Sequence, residues 1–218
     1  MECSKCKREA VVYQAYSGQH LCREHLALDI GAKARRAIRR HRMIRPGDRI
    51  GVILGGSDAD CALLAFLQDL TGSRRDVRVF SIHCNGMHED LAARARESGA
   101  TKLASAATLE DTAAALLTEV LRGEIPEIRP VEQDAPEELP VIAPFCHIPA
   151  AEIALSAGTR EAAGDRPPAP RDDDPLAADA KMLLADYTLR HPAAPHAVLN
   201  LAESLAGACS NGRTPDAT

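Results

Sequence analysis

Ile50-Gly51-Val52-Ile53-Leu54-Gly55-Gly56-Ser57-Asp58-Ala59 passes from one apolar run through a glycine pair into a second run ending at Leu70. The first run is short, β-branched and continuous, as in a strand buried on both faces of a parallel sheet. The second, Asp58 to Leu70, has the length and composition of a helix packed behind it. Strand, glycine turn and helix start together make an anion site. Glycine lets backbone approach phosphate closely, and the first free N–H groups of the helix point outward. Gly55, Gly56, Ser57 and Asp58 are therefore the candidate nucleotide-binding residues.

Working outward, Pro46-Gly47-Asp48 is a turn that delivers the chain into this strand. Beyond it the pattern alternates: strand 49–54, helix 58–70, strand 76–83, helix 87–98, strand 101–105, helix 109–121. Such alternation implies right-handed βαβ units and an α/β fold, a mostly parallel sheet of about five strands flanked by helices. Acidic, proline-containing residues 123–140 lead to a further strand candidate at 140–145 and a helix at 150–157. Residues 158–174 read as a loop, 175–190 and 196–206 as helices, and 207–218 as a polar, disordered tail. The expected domains are thus a 1–27 module, an α/β domain over 28–157 with a leading basic helix, and the C-terminal helices.

The 218 residues are 45% hydrophobic but only 3% aromatic, with no Trp, so the core must be built from Ala, Leu, Val and Ile. No apolar run approaches the ~20 residues of a membrane span, which argues against a membrane partner. The start, Met1-Glu2-Cys3-Ser4-Lys5-Cys6, lacks a signal peptide's apolar stretch. The expectation is a cytoplasmic protein whose seven cysteines are metal ligands or free thiols. Net charge is −5, yet residues 1–50 carry 12 Lys/Arg against 5 Asp/Glu and the remainder 14 against 26. A basic front on an acidic body suits a polyanion docking at one end.

Cys3-x2-Cys6 and Cys22-x2-His25 supply four ligands in two knuckles. Paired ligands two residues apart let one tight turn provide two corners of a tetrahedron, the arrangement of structural Zn2+. Four protein ligands leave no position for water. Behind the module, Ile30, Ala34 and Ile38 form a narrow apolar stripe on a helix over about 28–42. Arg35, Arg36, Arg39, Arg40 and Arg42 are read onto the same helix as two ridges that suit RNA phosphates, or simply a solvated face, since no aromatic residue interleaves for stacking. Cys61 reads as a small buried hydrophobe near the loop. Cys84 stands at a strand's C-terminal end, where ligands bind in such sheets. Cys146-His147 reads as structural, because adjacent residues seldom share one ion.

The order of these features resembles the tRNA 2-thiouridine synthetase branch of the PP-loop ATPases, of the archaeal and eukaryotic cytoplasmic type. The similarity spans nearly the whole chain. Leu103-Ala104-Ser105-Ala106-Ala107-Thr108-Leu109-Glu110-Asp111 is similar to that family's ATGHNLDD segment. Leu121-Arg122-Gly123-Glu124 resembles its LRGD-like stretch, Pro144 to Ala154 its KPLRYIPEKEIAL, and Arg190-His191-Pro192 its RHPG. The resemblance implies a PP-loop fold, ATP and Mg bound at the loop, and a tRNA uridine that is adenylated before sulfur displaces AMP. Asp111 matches a family acid and is a further nucleotide-binding candidate; alternatively it is a helix-start carboxylate held by the dipole.

This chain departs from the family at several points. Against SGGKDS, Leu54, Ser57 and Ala59 replace two hydroxyls and a lysine, and each lost contact to a charged group costs about 1.5–3 kcal/mol. Ala106-Ala107-Thr108 replaces GHN. The sulfur-handling cysteines have no counterparts in 84–103 or 158–175, and the C-terminal zinc ribbon is reduced to Cys209. The leading reading is a degenerate, non-catalytic or weakly nucleotide-binding subunit that contacts tRNA and a partner, either an intact PP-loop paralogue, a sulfur carrier or a second copy of itself. One alternative is an active ATP-dependent tRNA sulfurtransferase working through Cys84 or Cys146. Another is a nucleotide- or RNA-binding regulator unrelated to thiolation.

Overall fold

In a computed structural model of the chain, residues 1–83, 88–124, 139–157 and 174–211 are described. Cys84, most of the acidic 123–140 connection, nearly all of the 158–174 loop and residues 212–218 of the expected tail lie outside them. The elements are β1 (Val12–Gln14), β2 (Gln19–Leu21), α1 (Arg23–Arg40), β3 (Arg49–Leu54), α2 (Asp58–Thr71), β4 (Arg78–His83), α3 (His88–Glu97), β5 (Lys102–Ala104), α4 (Leu109–Leu121), β6 (Val141–Ile142), α5 (Ala150–Ala157), α6 (Pro175–Arg190) and α7 (Ala194–Asn211).

The decisive stretch forms the strand and helix expected of it. β3 is an inner strand of a four-stranded parallel sheet in the order β4-β3-β5-β6. Its Ile50 and Val52 are fully buried. Between them, Gly51 is required by close approach: a Cβ there would stand 2.3 Å from Ile82 Cδ1. Among the described residues, the sheet consists of the four strands read at 49–54, 76–83, 101–105 and 140–145. The other two strands form the β1–β2 antiparallel hairpin of the N-terminal module.

The chain divides into two compact units. The first, residues 1–108 with 130–170, holds the hairpin, the sheet, α1–α3 and α5. Its main core runs continuously from Cys3 and Leu21 through Leu26, Ile30 and Ala34 to Val52, Leu63, Phe145 and Ile148. The N-terminal module therefore shares a core with the sheet. The second unit, 109–129 with 171–218, is helical: α4 buries Leu109 and Leu116 against Leu199 and Ala202 of α7, and Ala113 and Ala114 against Leu184 of α6.

Three expectations are corrected. The basic helix starts at Arg23, five residues earlier than its apolar stripe suggests, so the second ligand knuckle is its first turn. It ends at Arg40, which puts Arg42 beyond it, with a left-handed φ of 47°. Cys61 is exposed, because the buried face of α2 is set by Leu63, Leu67 and Thr71. The last helix runs on to Asn211 rather than stopping at 206; one glycine costs a helix only about 1 kcal/mol and no proline intervenes. Among the described residues, no helix is long and apolar enough to cross a membrane.

Candidate functional site

The glycine loop follows the C-terminal end of β3. Gly56 adopts φ 93°, which only glycine tolerates without strain. Ser57 caps α2, accepting from the Asp60 N–H at 3.2 Å. The surrounding hydrogen bonds decide what the loop can hold. Asp60 Oδ2 accepts from the Gly55 N–H at 2.9 Å and from the Ser57 N–H at 3.0 Å. Two of the donors that a phosphate oxygen would need are satisfied by the chain's own carboxylate. Asp58, at the first helical position, has no protein hydrogen bond among the described residues. The Ser57-x-x-Asp60 spacing is a capping box, so the residue type and spacing that place Asp60 on the loop are visible in the sequence. Asp111 lies in the second unit, on α4, where it pairs with Lys181 at 3.6 Å.

The four N-terminal ligands do converge. Cys3, Cys6, Cys22 and His25 place one donor atom each within 4.8 Å of one another. Cys6 Sγ lies 3.7 Å from Cys22 Sγ, and His25 Nδ1 lies 3.6 Å from Cys3 Sγ and 3.3 Å from Cys22 Sγ. Local structure explains the convergence. The β1–β2 hairpin returns the chain to the first knuckle, where the Ser4 N–H donates to the His20 carbonyl at 2.7 Å. Cys22 is the N-cap of α1 yet makes no capping hydrogen bond. Burial alone would raise the Cys3 thiol, but N–H groups of Cys22, Lys5 and Cys6 hold it at about 6. The His25 N–H and side chain hold Cys22 down as well. Cys6 moves up, because burial and the neighbouring sulfurs outweigh the Arg8 N–H. The result is a metal-binding cluster of three sulfurs and one nitrogen, two of the thiols being biased toward thiolate.

A buried polar network ties this module to the sheet unit, and no motif or periodicity announces it. Glu152 of α5, 3% exposed, accepts from Gln14 at 3.1 Å, Tyr16 at 2.5 Å and Lys33 at 3.4 Å. Lys33 also pairs with Asp29 at 2.7 Å, and Gln14 donates to Asp29 at 3.0 Å. Burial would raise the Asp29 carboxyl, but Lys33 and Gln14 hold it below its ordinary value. The partners come from several elements far apart in the chain, so alternation patterns cannot show the meeting.

The predicted arginines separate into two groups. Arg35, Arg39 and Arg42 line a cleft of about 570 Å3 together with Arg45 and Arg74, over Ile38, Ile44, Pro46 and Leu70. Arg36 and Arg40 do not line it. Arg45 and Arg74 carry no helical spacing that would group them with the others, since they lie in connections.

Residues 2–27 match the family of the N-terminal LIM domain of the 2-thiouridine synthetase TtuA. The chain is 24% identical to the tRNA 2-thiolation protein NcsA of Haloferax volcanii, covering 94% of this chain and 87% of that protein. The chain is thus similar to tRNA-thiolation proteins of the TtuA/NcsA type. A 70-residue stretch of the chain is 40% identical to the tRNA-5-methyluridine(54) 2-sulfurtransferase of Thermus thermophilus, over 32% of this chain and 22% of that protein. In fold it is similar to the U34-tRNA thiolase NcsA of Methanococcus maripaludis, a structure described with its [4Fe-4S] cluster. That match has a TM-score of 0.70 at 15% identity and covers 94% and 87% of the two chains. The Haloferax alignment spans 282 positions against 218 residues here, so that relative carries insertions this chain lacks.

Proposed function

We propose that the chain is a degenerate member of its family: a tRNA-contacting subunit whose phosphate loop holds nucleotide weakly or not at all. The observation that carries this is Asp60, whose carboxylate takes the Gly55 and Ser57 N–H groups. A triphosphate would have to displace that carboxylate and then tolerate its charge, with no lysine or flanking hydroxyl to compensate. An active sulfurtransferase would instead need an accessible cysteine. Cys146 is 1% exposed and belongs to the main core, which weighs against that role. The tRNA partner is carried over from the relatives' activities. An intact paralogue or a sulfur carrier would supply the missing chemistry, and a regulator with no link to thiolation is the third reading.

The module is proposed to hold zinc. Tetrahedral bonds of about 2.3 Å to sulfur and 2.0–2.1 Å to nitrogen put S···S near 3.8 Å and S···N near 3.5 Å. The observed 3.7, 3.6 and 3.3 Å fit one such ion. A cubane of four irons would hold its thiolates farther apart. Bound here, zinc would stiffen the knuckles and carry no chemistry.

Calorimetry with ATP-Mg at millimolar ligand tests the main reading: no heat, or only weak binding, is expected. Formation of AMP from ATP in the presence of tRNA would overturn it in favour of the active enzyme. Co-purification with an intact paralogue would support the partner model, and tRNA binding without any thiolation partner would point to the regulator.

A further inference from the structure

The sheet has two edges, and they present opposite kinds of surface. The glycine loop lies at the C-terminal edge, where Asp58 and Asp60 add negative charge. Residues 44–46 immediately precede β3, and Leu70 and Arg74 lie at the end of α2 and in its connection to β4. The arginine cleft is therefore at the N-terminal edge. Accordingly, we propose that this cleft is a binding site for the phosphodiester backbone of RNA, separate from the glycine loop. The proposal rests on the reading of the chain as a tRNA-contacting protein and adds where the strand is held.

Three observations carry it. The first is uncompensated charge. Arg74 is engaged by Asp76 through two hydrogen bonds of 3.1 and 2.6 Å, and Arg35 reaches Asp69 only at 4.0 Å while lying over the Phe66 ring. Among the described residues, the guanidinium groups of Arg39, Arg42 and Arg45 have no carboxylate partner. Clustered guanidinium groups without counter-charges favour a polyanion and match phosphate oxygens in pairs.

The second is the backbone at Arg42. The Met43 N–H donates to the Ile38 carbonyl at 3.0 Å and the Arg42 N–H to the Arg39 carbonyl at 3.4 Å. This is a Schellman cap, whose left-handed residue is usually glycine. Arg42 occupies that position with φ 47°. Glycine would hold the same turn at lower cost, so an arginine kept there points to a use for its side chain.

The third is the lining itself. Among the described residues, no aromatic side chain lines the cleft to stack a base, and no carboxylate lines it to take ribose hydroxyls. A free nucleotide would lack both contacts. Phosphates held by guanidinium forks over a short apolar floor need neither.

The experiment is a fluorescence-anisotropy titration of unfractionated tRNA with the full chain between about 50 and 200 mM salt. Variants are Arg42→Gly, the triple Arg39→Gln/Arg42→Gly/Arg45→Gln, and Arg36→Gln as a control outside the cleft. Thermal midpoints are recorded in parallel. Arg42→Gly is expected to weaken binding and to reduce the log–log salt slope by about 1. Its midpoint should rise by about 2 °C as the strained turn relaxes. A structural role for Arg42 would not give a more stable protein that binds less well. The triple variant should lose at least about tenfold in affinity with a slope reduced by two to three, and Arg36→Gln should stay within about twofold of wild type.

Wild-type binding that Arg42→Gly and the triple variant both retain, at unchanged slope, overturns the cleft and leaves the functional reading standing. No tRNA binding by the wild type overturns the functional reading and the cleft with it. Inorganic triphosphate is the second probe. If its binding depends on the three arginines while tRNA binding does not, the site belongs to a small polyphosphate and the RNA assignment fails.

Discussion

The N-terminal metal-binding cluster and the glycine loop are both short turns that gather donors, but the donors are of different kinds. In the module the donors are side chains, and all four are in place within 4.8 Å. In the loop the donors are backbone N–H groups, which any sequence retains as long as Gly56 can turn. The loop's turn therefore does not depend on the side chains around it, and the carboxylate of Asp60 accepts from two of its N–H groups. A side-chain site is read directly from its ligands. A backbone site keeps its shape whichever side chains meet its donors, so its chemistry is not read from the turn alone.

The comparison breaks most sharply if the module is emptied. Replacing Cys3 and Cys6 together by Ser should abolish metal binding, measured as metal per chain. It should also unfold the hairpin if the proposed zinc is structural, since such ions supply about 10 kcal/mol or more of folding free energy. Metal retained by that variant would refute the ligand assignment.

The next largest effect is expected where the module joins the sheet unit. Glu152→Ala leaves Lys33 and Tyr16 facing a buried gap, and chemical denaturation should show a loss of about 3 kcal/mol. A loss under about 1 kcal/mol would mean that the network is dispensable.

A smaller effect probes the loop. Asp60→Ser removes half of a capping box, costing about 1 kcal/mol of stability, and frees the Gly55 and Ser57 N–H groups. Dialysis against inorganic triphosphate should then show tighter binding than wild type, by roughly fivefold. Unchanged affinity would show that the Asp60 carboxylate does not limit anion binding at the loop.

The smallest effect is in pH. The Asp29 carboxyl is held below 3.8, so its stabilisation is fully present above that value and is lost as pH falls through the lower folded-state value. Asp29→Asn should flatten the acid limb of the stability curve below about pH 4 and lower the plateau near neutrality. An acid limb that matches wild type would assign the acid sensitivity to other carboxylates.

How much was legible follows from where each signal resides. The metal ligands were, because Cys3-x2-Cys6 and Cys22-x2-His25 declare themselves by residue type and spacing. The β3–α2 unit was too, since a buried parallel strand and the amphipathic helix behind it have distinct periods. The ends of α1 were not. Its start lies inside a ligand knuckle, and its stop is a Schellman cap with arginine where glycine is the usual signal. The exposure of Cys61 is not legible in the sequence, because only the packing of α2 through Leu63 and Leu67 fixes which side of the helix faces solvent.

By itself the sequence determined the α/β order, the metal-ligand set and the glycine turn, because each depends on neighbours within a few residues. Only the tertiary structure decided that Gln14, Asp29, Lys33 and Glu152 share one buried network, and that Arg45 and Arg74 join the helix arginines in a cleft. Glu152 meets Gln14 across 138 positions, and Arg74 reaches the cleft through the connection that follows α2. Such meetings are fixed by how the layers stack, since apolar burial brings the elements together and their polar side chains pair with whatever packing places beside them.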